Sequence, residues 1–185
     1  YTADTYELAF RATKEALDDE QEEMVSDTAR ALGSSMAYSH EVDMANLFNN
    51  GFTSTTGSPD GQELFATNHT LIGGGTEQNE LTTSADLSVQ TLRDALNDIA
   101  DTTDDAGKLV HWRPKTLFVS YEQIWLAKEL IQSTQRADTA DNAINAFRDD
   151  GLSVVASPYL TDADAWFLLA DSGTHNVRVY WRERP

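Results

Sequence analysis

A chain of 185 residues with 40% apolar side chains, four Trp, six Tyr and seven Phe can fill one ordinary domain or two small lobes on a shared core, which argues against disorder. Its formal charge of −18, from 31 acidic and 13 basic residues spread along the whole length, repels phosphate and leaves no Lys/Arg cluster for nucleic acid. The lack of cysteine excludes disulfides, thiolate metal sites and thiol nucleophiles, and no apolar run approaches the ~18 residues of a membrane span. Asp exceeds Glu and Lys is confined to Lys14, Lys108, Lys115 and Lys128, a balance that suits a medium where salt screens self-repulsion. Adaptation to salt is the hypothesis; a melting temperature unchanged between low and molar salt would count against it.

Residues 5–11 alternate, with Tyr6, Leu8 and Phe10 on one side and Glu7, Ala9 and Arg11 on the other, the period of a half-buried strand. Thr13 then stands as an N-cap type residue before a proline-free run that reaches Asn49-Asn50-Gly51, which predicts one helix from about Lys14 to Asn49, roughly 50 Å long at 1.5 Å per residue. Its apolar positions, among them Leu17, Val25, Leu32, Met36 and Phe48, form a broken stripe without sustained heptads, so a strut lying across another layer is expected rather than a coiled coil. Gly33 with Ser34 and Ser35 is a candidate bend.

From Gly51 to Ala85 the composition turns to Gly, Thr, Ser and Asn, including Asp60-Gly61 and Gly73-Gly74-Gly75, which reads as a long irregular connection with a flexible loop. Ser88 then caps an amphipathic helix carrying Val89, Leu92, Leu96 and Ile99, with Gly107 beyond its acidic end. Residues 116–119 read as a short buried strand, and Ser120 with Gln123 as the capping box of a helix bearing Ile124, Ala127, Leu130 and Ile131. Past a polar stretch at 136–150, three strands are expected at 152–156, 165–169 and 177–181, with turns at Ser157-Pro158 and Ser172-Gly173. The class is α+β.

Chemistry is sparse. His40, His69, His111 and His175 sit in separate segments without HExxH or His-x-His spacing, so they read as structural histidines rather than metal ligands. The pairs Asp18-Asp19, Asp104-Asp105 and Asp149-Asp150 suggest calcium at first sight, but residues 101–107 lack the glycine position and terminal Glu of an EF-hand loop. The triple glycine is not followed by Lys-Ser/Thr, and no Gly-x-Ser-x-Gly elbow is present. Asn68-His69-Thr70 matches a glycosylation sequon too short to carry weight. Trp166-Phe167 with Trp181 fit a core better than a ligand platform. No catalytic, cofactor or metal residue is assigned.

The order of elements and a set of short segments resemble the major capsid proteins of tailed bacteriophages with the Hong Kong 97 type shell fold, and in wording the Mu-like prophage major head subunits. The segments are Ala45-Asn46-Leu47-Phe48-Asn49-Asn50-Gly51-Phe52, Asp60-Gly61-Gln62-Glu63-Leu64-Phe65 with Asn68-His69, and Asn79-Glu80-Leu81. They continue through residues 87–99, 113–119, 142–147 and 154–162 to Ala165-Trp166-Phe167-Leu168. None is diagnostic alone; together they cover nearly the whole chain in order.

The resemblance implies a capsid shell fold with a long spine helix and a mixed-sheet axial domain flanked by helices. Residues 1–50 would be the end of the extended-loop strand plus the spine helix of the peripheral domain, 51–171 the axial domain, and 172–185 the start of the return to the peripheral domain. It further implies a structural virion protein rather than an enzyme. Such a protein assembles with copies of itself, as hexamers and pentamers, into an icosahedral head that encloses phage DNA. Neither cofactor, membrane nor sequence-specific nucleic acid is implied; a scaffold or maturation protease is. The location is the virion, with the host cytoplasm during assembly.

Arg11, Arg30, Arg136 and Arg148, few among many carboxylates, are the candidates for ion pairs between subunits, with pairing inside the chain the alternative. Relative to the family pattern, the N-terminal arm, the first half of the extended loop and the final peripheral strands are missing. Together with Tyr1 in place of Met, this leads to the expectation of a trimmed subunit. No crosslinking Lys-Asn pair can be matched. Two other readings stand beside this one: an encapsulin-like nanocompartment shell, which shares the fold but encloses enzymes, and a metal-dependent hydrolase built on scattered Asp and His.

Overall fold

The computed structural model describes residues 5–18, 22–55, 60–135, 144–174 and 177–181. Helical structure starts at Lys14, directly after Thr13, in α1 (Lys14–Asp18); α2 (Glu22–Asn49) comprises 28 residues that run unbroken through Gly33-Ser34-Ser35. Residues 19–21 lie outside the described part, so the expectation of one helix from Lys14 to Asn49 falls partly there. Thr28, Ser34 and Ser39 return their hydroxyls to the carbonyls of Met24, Arg30 and Ser35, which lets polar residues sit inside a helix.

After α2 come a two-residue hairpin, β1 (His69–Thr70) antiparallel to β2 (Thr76–Glu77), and α3 (Val89–Asp101). There follow β3 (Pro114–Ser120), α4 (Ile124–Gln132), a 3-10 turn at Ala146–Asp150, β4 (Ser153–Ser157) and β5 (Trp166–Ala170). The larger sheet is mixed, in the order β4-β3-β5, with β3 parallel to β4 and antiparallel to β5. Parallel neighbours need a crossover, which α4 with the segment after it supplies.

The register sorts side chains onto two faces, because successive residues of a strand point to opposite sides. Leu117 lies between Val154 and Leu168, and Val119 between Ala156 and Trp166. This aliphatic face packs against Leu92 of α3 and Ala127 and Ile131 of α4, with Phe147 and Leu152 closing the cluster. Phe118, flanked by Val155 and Phe167, points the other way. There Phe48 from the last turn of α2 meets Phe118 at 5.0 Å and Phe167 at 5.1 Å between ring centres, with Phe65 and Leu160 alongside. Such tilted aromatic pairs contribute beyond their buried area.

Several expectations are corrected. Residues 5–11 form no strand: Tyr6, Leu8 and Phe10 are exposed, and among the described residues no neighbouring strand pairs with their backbone, without which an extended segment gains no ladder. The same holds for 177–181, where Tyr180 is 84% exposed. The triple glycine is a hairpin turn joining β1 to β2, with Gly74 and Gly75 at φ of 90° and 96° and the Leu71 N–H donating to the Gly75 carbonyl at 3.2 Å. Ser88 caps α3 as expected, with Thr91 as its reciprocal partner. The box foreseen at Ser120 and Gln123 forms only by half: the Gln123 N–H donates to the Ser120 hydroxyl oxygen at 3.3 Å, but the Gln123 side chain does not return the bond. Ser120, buried in the sheet, donates its hydroxyl to the Ala163 carbonyl, and Gln123 donates its amide to Asp164 at 3.0 Å.

Candidate assembly surface

Before asking which side chains face outward to act, the inward polar ones can be assigned. Three asparagines to which the sequence patterns gave no role of their own tie the loops together, which an amide does well because it both donates and accepts. Asn145, buried, donates to the Leu130 and Ser133 carbonyls at the end of α4 and accepts from the Phe147 N–H. Asn79 donates to the Leu64 carbonyl and accepts from the Ala66 N–H at 2.8 Å. Asn49 donates to the Tyr159 carbonyl and accepts from the Thr161 N–H, each at 3.0 Å. All three lie within the segments that carry the family resemblance, the one signal by which they could have been found.

His69 lies with Nδ1 2.7 Å from Asp60 Oδ2 and Nε2 3.2 Å from Asn79 Oδ1, a knot holding the ends of the long loop. That placement fits a structural histidine. The Asp104 carboxylate accepts from the Ala106 and Lys108 N–H groups, making residues 104–108 a closed turn. Among the described residues no group of three or more His, Asp or Glu converges as metal ligands would. The Trp166 indole N–H donates to the Ala85 carbonyl at 3.0 Å, and Phe167 is buried; both belong to the core, whereas Trp181 is half exposed against His40 of α2, 4.3 Å between ring centres.

Of the four candidate arginines, three lie within the described residues. Arg30 pairs with Asp27 at 2.9 Å one turn earlier on α2, both side chains exposed. Arg148 donates to the Thr134 hydroxyl at 3.2 Å. Arg11 lies in the exposed segment before α1, and Arg136 is outside the described residues. Asp98 on α3 has its carboxyl raised above the ordinary carboxylate range, first by burial and then by the charges of Asp94 and Asp101.

The outward surface is apolar to an unusual degree for so acidic a chain. Ile72 at the hairpin tip is 93% exposed, Trp125 on α4 71% and Tyr121 before it 64%, with Leu109, Trp112 and Ile144 also open. Lys128 lies over the Trp125 ring, 5.1 Å from its centre. Large apolar side chains left in water mark surfaces that other proteins cover.

A small packed sheet, no converging set of reactive side chains among the described residues and several open aromatic residues direct attention to contacts with other chains. Residues 1–185 match the family described as Phage capsid protein, and the chain belongs to that family. It is a viral structural protein of the bacteriophage head, located in the virion capsid, and the family assembles into a multi-subunit shell. The mixed α/β architecture is compatible with a capsid fold. No curated protein and no solved structure matches the chain.

Proposed function

We propose that this protein is a shell subunit of the Hong Kong 97 type, nearest to the Mu-like prophage head subunits, that assembles with itself into the icosahedral head enclosing phage DNA. In this reading α2 is the spine helix. Residues 1–50 belong to a peripheral domain, 51–171 to an axial domain, and 172–185 lead back toward the periphery. The protein acts by association and not by catalysis, forming hexamers and pentamers in the host cytoplasm with a scaffold or maturation protease as passing partners.

The observation that carries the reading is the match to a capsid family along the whole chain. The open aromatic residues support it: contacts that are individually weak add up when every copy repeats them. A charge of −18 suits a container that need not grip its cargo. Arg11, Arg30, Arg136 and Arg148 are proposed to reach carboxylates of neighbouring copies.

Electron microscopy of the purified full-length protein across a salt series tests this. Closed shells are the expected result. Monomers or shapeless aggregates under every condition would overturn it.

A further inference from the structure

The joint between α2 and the sheet rests on few atoms. Among the described residues of α2 only Ala45 and Phe48 are buried, both near its C-terminal end. Phe48 sits among rings, an apolar contact that resists withdrawal but has little preference for direction. Direction comes from Asn49. Its amide bonds the backbone on both sides of Leu160, donating to the Tyr159 carbonyl and accepting from the Thr161 N–H at 3.0 Å each, while Leu160 packs into the Phe48 cluster.

A second contact comes from the same loop: the Tyr159 ring meets Tyr38 edge-on at 5.5 Å. Tyr38 lies eleven residues before Asn49, roughly 16 Å along the helix axis. Two points that far apart define the axis of α2 against the loop. Gly51 closes the joint, since a Cβ there would stand 2.5 Å from the Phe65 ring, and the Phe65 N–H donates to the Gly51 carbonyl at 2.9 Å.

We infer that Asn49 is the positioning residue that sets the angle between α2 and the sheet, with the Tyr38–Tyr159 contact as its second support. The helix extends about 42 Å from this pivot, so a tilt of about 5° moves its far end by roughly 4 Å. Only a side chain carrying both donor and acceptor at this reach serves: Asp accepts but cannot donate, and Gln is one methylene too long. On the capsid reading, which this consequence rests on, the same angle sets the shape of the tile and hence the curvature of the shell.

The lack of cysteine allows a unique pair of nitroxide labels through Ser26→Cys on α2 and Glu129→Cys on α4 in the full-length protein. Their separation is read by pulsed dipolar spectroscopy. Asn49→Ala and Asn49→Asp are expected to shift or broaden the distance distribution by up to about 3 Å, the displacement that a tilt of about 5° produces at Ser26, roughly 35 Å along the helix from Asn49, and Tyr38→Ala to do so to a lesser degree. Leu92→Ala, which loosens the core elsewhere, is expected to lower the melting temperature and leave the distance unchanged.

An unaltered distribution in both Asn49 variants overturns the inference, as does an equal change in Leu92→Ala. Should Asn49→Ala not fold, Tyr38→Ala, at an exposed position, decides the matter by the same reading. Particle diameter by electron microscopy then separates the two ideas. Wild-type protein that forms no shell counts against the capsid reading alone, while wild-type shells with Asn49→Ala shells of identical, uniform diameter remove the link from this angle to curvature.

Discussion

The sheet with its two flanking helices and the long helix α2 are built on opposite terms. Around Leu92, Leu117 and Val119 no side-chain surface is left to water, and backbone and side chains agree on one arrangement. Along α2, Met24, Tyr38 and Leu47 stand exposed and burial is confined to the end that enters the aromatic cluster. The first region has a packed centre of its own and keeps its open apolar side chains, such as Trp125, on its outer faces. The second has no such centre and is held at one end.

Substitutions can break this contrast. Leu117→Ala should cost about 3–5 kcal/mol, the loss for a fully buried leucine that leaves a cavity. Met24→Ala on the exposed face of α2 should stay within about 0.5 kcal/mol. Thermal unfolding of the two side by side measures the difference, and similar losses would erase the distinction between the regions. Gly51→Ala comes next. Its methyl group meets the Phe65 ring, and overpacking of this kind costs about 1–3 kcal/mol.

Trp125→Glu tests the outer surface. Stability of the isolated subunit should remain within about 0.5 kcal/mol, because the ring is mostly in water, while the yield of sedimenting particles falls. A yield equal to wild type would show that this surface is not covered on assembly. Arg30→Ala removes an exposed pair worth about 0.2–1 kcal/mol at low salt and less at high salt; a larger loss in particle yield than in stability would place Arg30 at a contact between copies.

Asp98→Asn should have the smallest effect, with a definite sign. Because the folded chain holds the Asp98 proton to higher pH than the unfolded chain does, stability falls as pH climbs from the ordinary carboxylate range through the raised folded value. The variant lacks that loss, so its melting temperature should lie slightly above wild type at neutral pH and converge with it in acid. A lower melting temperature at neutral pH would contradict this.

Much of the sheet region was legible because its signals are local. The Ser88 cap and the spacing of Leu92 and Leu96 specify α3 without reference to any other segment, and the apolar run at Leu117-Phe118-Val119 specifies a strand buried on both faces. Of the capping box foreseen at Ser120, the half made by Ser120 forms, while the Gln123 half is drawn off to the distant Asp164, which no local pattern reveals. The alternation of Tyr6, Leu8 and Phe10 states which side chains share a face, but a strand also needs an edge to pair with, and that lies beyond the pattern itself.

What the sequence determined by itself was the mixed class, the positions of α3, β3, α4, β4 and β5, and, through its lack of cysteine, the exclusion of thiol chemistry. Only the tertiary structure decided that Asn49, Asn79 and Asn145 are clasps between loops, and that Gly51 is required for space beside Phe65 and not for a left-handed backbone. Periodicity reports which face is apolar because burial acts residue by residue, whereas a directional hydrogen bond to a distant carbonyl depends on where two separate segments meet.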